Sequence, residues 1–139
     1  MRRRAQAGPI LFVYGSLMRG QPAHGLVAAA PFLGPARTAP CFHLVDLGPY
    51  PGLVDGGTMA VEGELYAIPP RLLPHIDAFE GHPRHYRRRP IPLAGGRHAH
   101  AYVLTRRPTH ACIVPVPHWP TWLRRRRRDG DGRDPAARG

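Results

Sequence analysis

Glu80 is the acid in this chain whose setting best suits proton transfer. It ends a stretch in which Leu72, Leu73, Ile76 and Phe79 recur at helical spacing, and Gly81 follows as a natural C-cap. A carboxylate at the C-terminal end of a helix meets the negative end of the dipole. Partial burial works in the same direction, so both effects raise the pKa toward neutrality. That is the requirement for a group that takes a proton and later returns it. The competing reading is a solvated surface acid. Asp77 lies three residues earlier, close enough on a helix to share a face with Glu80. A catalytic carboxylate pair is conceivable, but a structural hydrogen bond or ion pair to Arg84, Arg87, Arg88 or Arg89 is the favoured role for Asp77.

The second chemical feature is the run Ile10-Leu11-Phe12-Val13-Tyr14-Gly15-Ser16-Leu17. Five apolar or aromatic residues predict a buried strand, and Gly15-Ser16 ends it. Backbone N–H groups at such a turn are free to hold an anion, and glycine allows close approach of a ligand. A plain tight turn is the alternative. Ser16 is the only serine in the chain. It lacks the Gly-x-Ser-x-Gly setting of a nucleophile, so a donor role suits it better. Neither common glycine-rich nucleotide loop is present. Nine histidines raise the question of a metal. Cys41-Phe42-His43 and His98-Ala99-His100 each offer two ligands, but without a second pair at zinc spacing. No metal and no cofactor are expected.

These residues need elements to position them. After the first strand, Pro22 is suited to open a short helix carrying Leu26, Val27 and Ala28 to Ala30, which Pro31 ends. Phe32 to Pro40 reads as loop or irregular strand, Cys41 to Val45 as strand, and Leu53-Val54 as a short extended piece among turns. Val61 to Ile68 alternates cleanly, with Val61, Gly63, Leu65 and Ala67 on one face. The helix before Glu80 accommodates Pro74 only if it starts close to that residue. Tyr86 to Leu93 and Ala99 to Leu104 form strands joined by the hairpin Ala94-Gly95-Gly96-Arg97. Ile113 to Leu123 reads as irregular packing. The expected fold is mixed α/β: a single domain with a curled, barrel-like mixed sheet and short flanking helices. Its boundaries are residues 8–123, with residues 124–139 an arginine-rich, disordered tail.

At 139 residues the chain can bury one core. The formal charge of +11 is uneven: seven arginines against three aspartates after Leu123 contribute +4, Arg2 to Arg4 contribute +3, and the remainder carries +4. There is no lysine and no asparagine, which points to coding bias as much as to a selected basic surface. Weak, salt-sensitive contacts of the tails with polyanions follow from this, but no specific nucleic-acid partner does. The apolar runs are too short to span a membrane or to serve as a signal sequence, so the expected location is the cytoplasm. Cys41 and Cys112 are expected as buried free thiols.

Read together, Tyr14-Gly15-Ser16-Leu17 with Gly20 and His24, Tyr50-Pro51-Gly52-Leu53, Val61-Glu62-Gly63-Glu64-Leu65-Tyr66, and Asp77-Ala78-Phe79-Glu80-Gly81 with Tyr86-Arg87 resemble the gamma-glutamylcyclotransferase-like family. The resemblance runs from about Ile10 to Leu104. The form of the first motif is most similar to the gamma-glutamylamine cyclotransferase branch and its small bacterial relatives. It implies an enzyme releasing 5-oxoproline and a free amine from a gamma-glutamyl amide, without metal. Glu80 would be the catalytic acid/base, Tyr14 to Leu17 would hold the glutamyl α-carboxylate and backbone, and Tyr86 would line the pocket. The arginine runs at Arg87 to Arg89 and Arg124 to Arg128 depart from the pattern and leave the amine unspecified. A non-catalytic carboxylate-binding module and a polyanion-binding protein are the alternatives.

Overall fold

The strand that carries the architecture is β7 (His98–Leu104). Along one edge it pairs antiparallel with β6 (Tyr86–Pro92) from Tyr86↔Leu104 to Pro92↔His98. The hairpin between them turns at Gly95 and Gly96, both at φ near +90°, a conformation that suits glycine. The other edge of β7 is shared by two parallel neighbours. β1 (Ile10–Val13) pairs through Leu11↔His100, and β4 (Pro51–Asp55) pairs through Leu53↔Val103. The sheet therefore forks at β7.

One arm continues from β1 to β5 (Glu62–Ala67) and β2 (Phe32–Arg37), and the other from β4 to β3 (Phe42–Asp46) and β8 (Cys112–Ile113). Bonds from Ala39 N–H to Pro92 O and from Ala94 N–H to Arg37 O tie the end of β2 to the hairpin, so the sheet curls on itself. The computed structural model describes residues 8–131. Mixed α/β with a curled mixed sheet is the fold that the residues predicted.

Both faces of the central strands are buried, which is why β1 is a continuous apolar run and not an alternating one. Phe12 and Tyr14 point into one core with Phe42, Leu53, Ala101 and Val103. Leu11 and Val13 join Tyr66, Tyr86, Tyr102 and Leu104 in the other. Helix α1 (Leu73–Glu80) closes the second core through Ile76, which is fully buried. Pro74 sits in its first turn, where no N–H is needed. Gly81 ends it in the left-handed region, and its N–H bonds back to Ala78 O.

Several expectations are corrected. Phe79 is half exposed, not part of the buried stripe. Ile76 is buried and Glu80 partly so, while the Phe79 ring between them in sequence is turned to the surface. The expected helix after Pro22 is only a 3-10 turn at His24–Leu26, with Gly25 at its centre. Cys41 and Cys112 are exposed, one beside Pro40 ahead of β3 and the other on the edge strand β8.

Ile113 to Leu123 is not irregular throughout, because α2 (Trp119–Asp131) begins within it. That helix runs on through Arg124 to Asp131, a stretch expected to be disordered. Its anchors lie far back in the chain. Trp119 is buried, Trp122 Nε1–H donates to Asp46 Oδ2 at 2.8 Å, and Arg126 Nη1 donates to Asp46 Oδ1 at 2.9 Å, to Asp46 Oδ2 at 2.8 Å and to Gly48 O at 2.9 Å. Arg2 to Arg4 and residues 132–139 lie outside the described residues. Among the described residues, no helix is long and apolar enough to cross a membrane.

Candidate functional site

The fork in the sheet creates the site. Where β1 ends, β4 takes over the same edge of β7, and main-chain groups at the crossover need partners. Tyr14 supplies them: its hydroxyl donates to Tyr102 O at 2.7 Å and accepts from Leu53 N–H at 3.0 Å. The next residue, Gly15, packs against β4. A Cβ at Gly15 would lie 2.6 Å from Pro51 Cγ and 2.7 Å from its Cδ. Close packing, not a left-handed backbone, is what this glycine serves.

The Gly15–Met18 turn is closed by Met18 N–H bonding to Gly15 O at 3.0 Å. It is braced by His24, whose ring Nδ1 bonds Leu17 O at 3.0 Å, and by Ala23 N–H to Ser16 O at 2.9 Å. Among the described residues, the N–H groups of Gly15, Ser16 and Leu17 have no acceptor. Turn donors left free beside a cleft are what an anion or a developing oxyanion can use.

Tyr14, Gly15, Ser16 and Leu17 line a narrow cleft of about 20 Å3 together with Glu80 and Tyr86. All six residues predicted for the site therefore meet in one place. The cleft is completed by Phe12 and Val13 of β1 and by Tyr50, Pro51 and Tyr102, none of which sequence reasoning named as a site residue. Tyr50-Pro51 stood within a recognised motif and so carried a usable signal. Tyr102 looked like any strand residue, and only the pairing of β7 reveals its place. Tyr50 is 38% exposed; among the described residues its hydroxyl makes no hydrogen bond, its carbonyl accepts from Leu47 N–H at 3.0 Å, and its ring lies edge-on to His85.

The tyrosine hydroxyls are already committed as donors. Tyr86 donates to Pro51 O at 2.5 Å, Tyr14 to Tyr102 O, and Tyr102 to Asp77 Oδ1 at 2.6 Å. Each phenolic oxygen keeps acceptor capacity, so these groups can receive an N–H from a ligand. They offer no spare proton to an oxyanion. Burial raises all three phenols above their ordinary pKa, and the charge of Glu80 adds to this at each one, which places that carboxylate electrically beside them.

Glu80 is partly buried and makes no hydrogen bond or ion pair among the described residues. Burial alone raises its pKa from 4.5 to about 7. Asp77, one turn earlier, is held quite differently. Arg88 Nε reaches its Oδ1 at 3.0 Å and Arg88 Nη2 its Oδ2 at 3.3 Å. Burial would raise Asp77, but the bonds from Arg88 and Tyr102 outweigh it and hold the carboxyl below its ordinary value. Of the four arginines considered as partners, Arg88 is the one that pairs. Arg88 also bonds His100 Nδ1 at 3.2 Å, so the α1–β6–β7 corner is pinned by a connected polar network. Among the described residues, no group of three or more His, Cys, Asp or Glu side chains could hold a metal.

A family model described as gamma-glutamyl cyclotransferase, AIG2-like, matches residues 11–121, from β1 to the first turn of α2. The chain belongs to this family. A putative gamma-glutamylcyclotransferase of Vibrio cholerae is 39% identical over 87 residues, covering 63% of this chain and 75% of that protein. Human gamma-glutamylaminecyclotransferase is 40% identical over 88 residues, covering 57% of this chain and 58% of the human one. The crystal structure of an AIG2-like protein from Mus musculus superposes with a TM-score of 0.64 at 27% identity, covering 83% of this chain and 82% of that one. The family match spans every element that builds the cleft: the β1 turn, the start of β4, α1 and β6.

Proposed function

We propose that this AIG2-like protein is a gamma-glutamyl cyclotransferase that converts a gamma-glutamyl amide into 5-oxoproline and a free amine. The observation that carries this reading is the pairing, in one cleft, of an unpartnered carboxyl with pKa about 7 and a turn with three free N–H donors. Family membership supports the reaction class. The roles of individual residues rest on the geometry and chemistry.

In a gamma-glutamyl amide, the α-amine attacks the γ-carbonyl of the same glutamyl group and closes a five-membered lactam. The reaction is unimolecular once the folded conformer is held, so positioning supplies much of the acceleration. At neutral pH the α-amine is protonated and cannot attack. Glu80, half ionised near pH 7, removes a proton from the ammonium. The nitrogen lone pair then forms the new C–N bond, and the negative charge on the carbonyl oxygen falls to the turn N–H groups and the Ser16 hydroxyl. Glu80 returns its proton to the leaving nitrogen as the amide C–N bond breaks, and the excess proton on the ring nitrogen passes to the released amine, which departs as an ammonium and leaves the lactam neutral. The acceptor oxygens of Tyr14 and Tyr86 can receive N–H bonds from the ammonium and orient it. The sequence needs no covalent enzyme intermediate and no water.

A protein that only bound carboxylated ligands would gain nothing from a carboxyl on the cleft wall, since like charges repel. The test is release of 5-oxoproline from simple gamma-glutamyl amides by the wild type and by Glu80→Gln. Turnover by the wild type and its loss in a variant that keeps its circular dichroism spectrum are the expected results. Equal turnover by both would remove Glu80 from the mechanism.

A further inference from the structure

At Ser16 and Tyr50 the cleft opens onto a much larger groove of about 580 Å3. Its remaining walls are apolar: Pro22, Ala23, Leu26, Pro49 and Phe79, with Gly25. Among the described residues, no charged side chain lines it. The size falls within the range of small-molecule sites. Phe79 is 50% exposed, and neither it nor Tyr50 belongs to either buried core. Two partly exposed aromatic rings thus lie at the mouth of the cleft, one of them on the residue next to Glu80, outside both buried cores. Contiguous exposed apolar surface of this kind marks a place where something binds.

Resting on the cyclotransferase reading above, we propose that this groove is the leaving-group site and that the released amine carries an uncharged apolar body, an aliphatic chain or an aromatic ring. The glutamyl half belongs inside, where Glu80 and the free N–H groups are. The leaving nitrogen is bonded to the reacting carbon, so what it carries projects through the mouth. A second ammonium or carboxylate on the amine would be dehydrated against Leu26, Pro49 and Phe79 with no partner of opposite charge. A benzyl or butyl group gains transfer free energy at the same place. Groove and cleft share Ser16 and Tyr50, so occupation of the one helps to hold the substrate in the other.

The experiment uses the full chain and three probes: gamma-glutamyl-benzylamide, gamma-glutamyl-ethylamide and gamma-glutamyl-ε-lysine. The expected kcat/KM for the benzylamide exceeds that for the ethylamide by ~10-fold, the scale set by partial burial of a ring. The lysine amide is no better than the ethylamide. Phe79→Ala and, independently, Leu26→Asp lower the benzylamide-to-ethylamide ratio by roughly 5-fold or more. Phe79 is already half in water, so its truncation leaves the cores intact. A wild-type ratio near one, a preference for the lysine amide, or a ratio unchanged in both variants would overturn the proposal. Failure to form 5-oxoproline from any of the three amides is a different result. It would bring down the cyclotransferase reading itself and the groove assignment with it.

Discussion

Asp77 and Glu80 stand one helical turn apart on α1 and have the same functional group, yet the fold treats them as opposites. Asp77 receives a two-pronged guanidinium and a phenol, and sits below the ordinary aspartate range. Glu80 receives nothing and is raised to about 7 by burial. The difference does not come from the helix, which is common to both. It comes from what β6 and β7 bring opposite each position: Arg88 and Tyr102 for Asp77, and the edge of a ligand cleft for Glu80. Two carboxyls driven apart in pKa by their surroundings suit different labours: the paired one fixes structure, and the raised one is the group that the proposed reaction would use to carry protons.

The comparison can be broken by removing either charge. Glu80→Gln is expected to cost roughly 10²–10⁴ in kcat/KM, the range for loss of a general acid–base. Asp77→Asn should cost under tenfold in turnover. Comparable losses from the two would mean that the carboxyls are not divided as described.

Stability against pH sharpens the same contrast, with opposite signs. The pKa of Glu80 is higher in the folded state than in the unfolded one. Its contribution is therefore fully present below pH 4.5 and is lost as pH rises through about 7. The shift corresponds to roughly 3 kcal/mol. Asp77 is depressed, so its contribution is present above its unfolded pKa and is lost as the solution is acidified below 3.8. Thermal melts should show Glu80→Gln gaining on the wild type between pH 5 and pH 8. A Tm difference that stays flat over that interval would contradict the raised pKa.

Smaller effects follow from the partners of Asp77. Asp77→Asn strands a mostly buried guanidinium and should lower stability by ~2 kcal/mol near neutrality, measured by urea denaturation. Tyr102→Phe removes a single donor to the same carboxylate and should cost about 1 kcal/mol. If Tyr102→Phe proved the more damaging of the two, the phenol and not the guanidinium would be the main support.

Much of this arrangement could be read from local signals. Gly81 as a C-cap, Pro74 in the first turn of α1 and the Ala94–Arg97 hairpin are each set by the backbone preferences of one or two residues. They appear where expected. The six site residues could be named because the motifs around them are short, ordered and specific in sequence. What escaped depends on distant partners. The helical course of the arginine run follows from Asp46, some eighty residues earlier. Tyr102 enters the cleft because β1 and β4 split the edge of β7. The exposure of Phe79 departs from its place in the apolar stripe, although Ile76 three residues earlier is fully buried. The choice of Arg88 among four candidate arginines was settled by strand register, since Arg88 pairs with Tyr102 across β6 and β7 and both reach Asp77.

The most direct measurement is a titration of the side-chain carboxyl carbons of Asp77 and Glu80 by nuclear magnetic resonance, assigned with the Asp77→Asn and Glu80→Gln proteins. The account predicts a midpoint near pH 7 for Glu80 and one below 3.8 for Asp77. A Glu80 midpoint at 4.5, or two carboxyls titrating together, would contradict it.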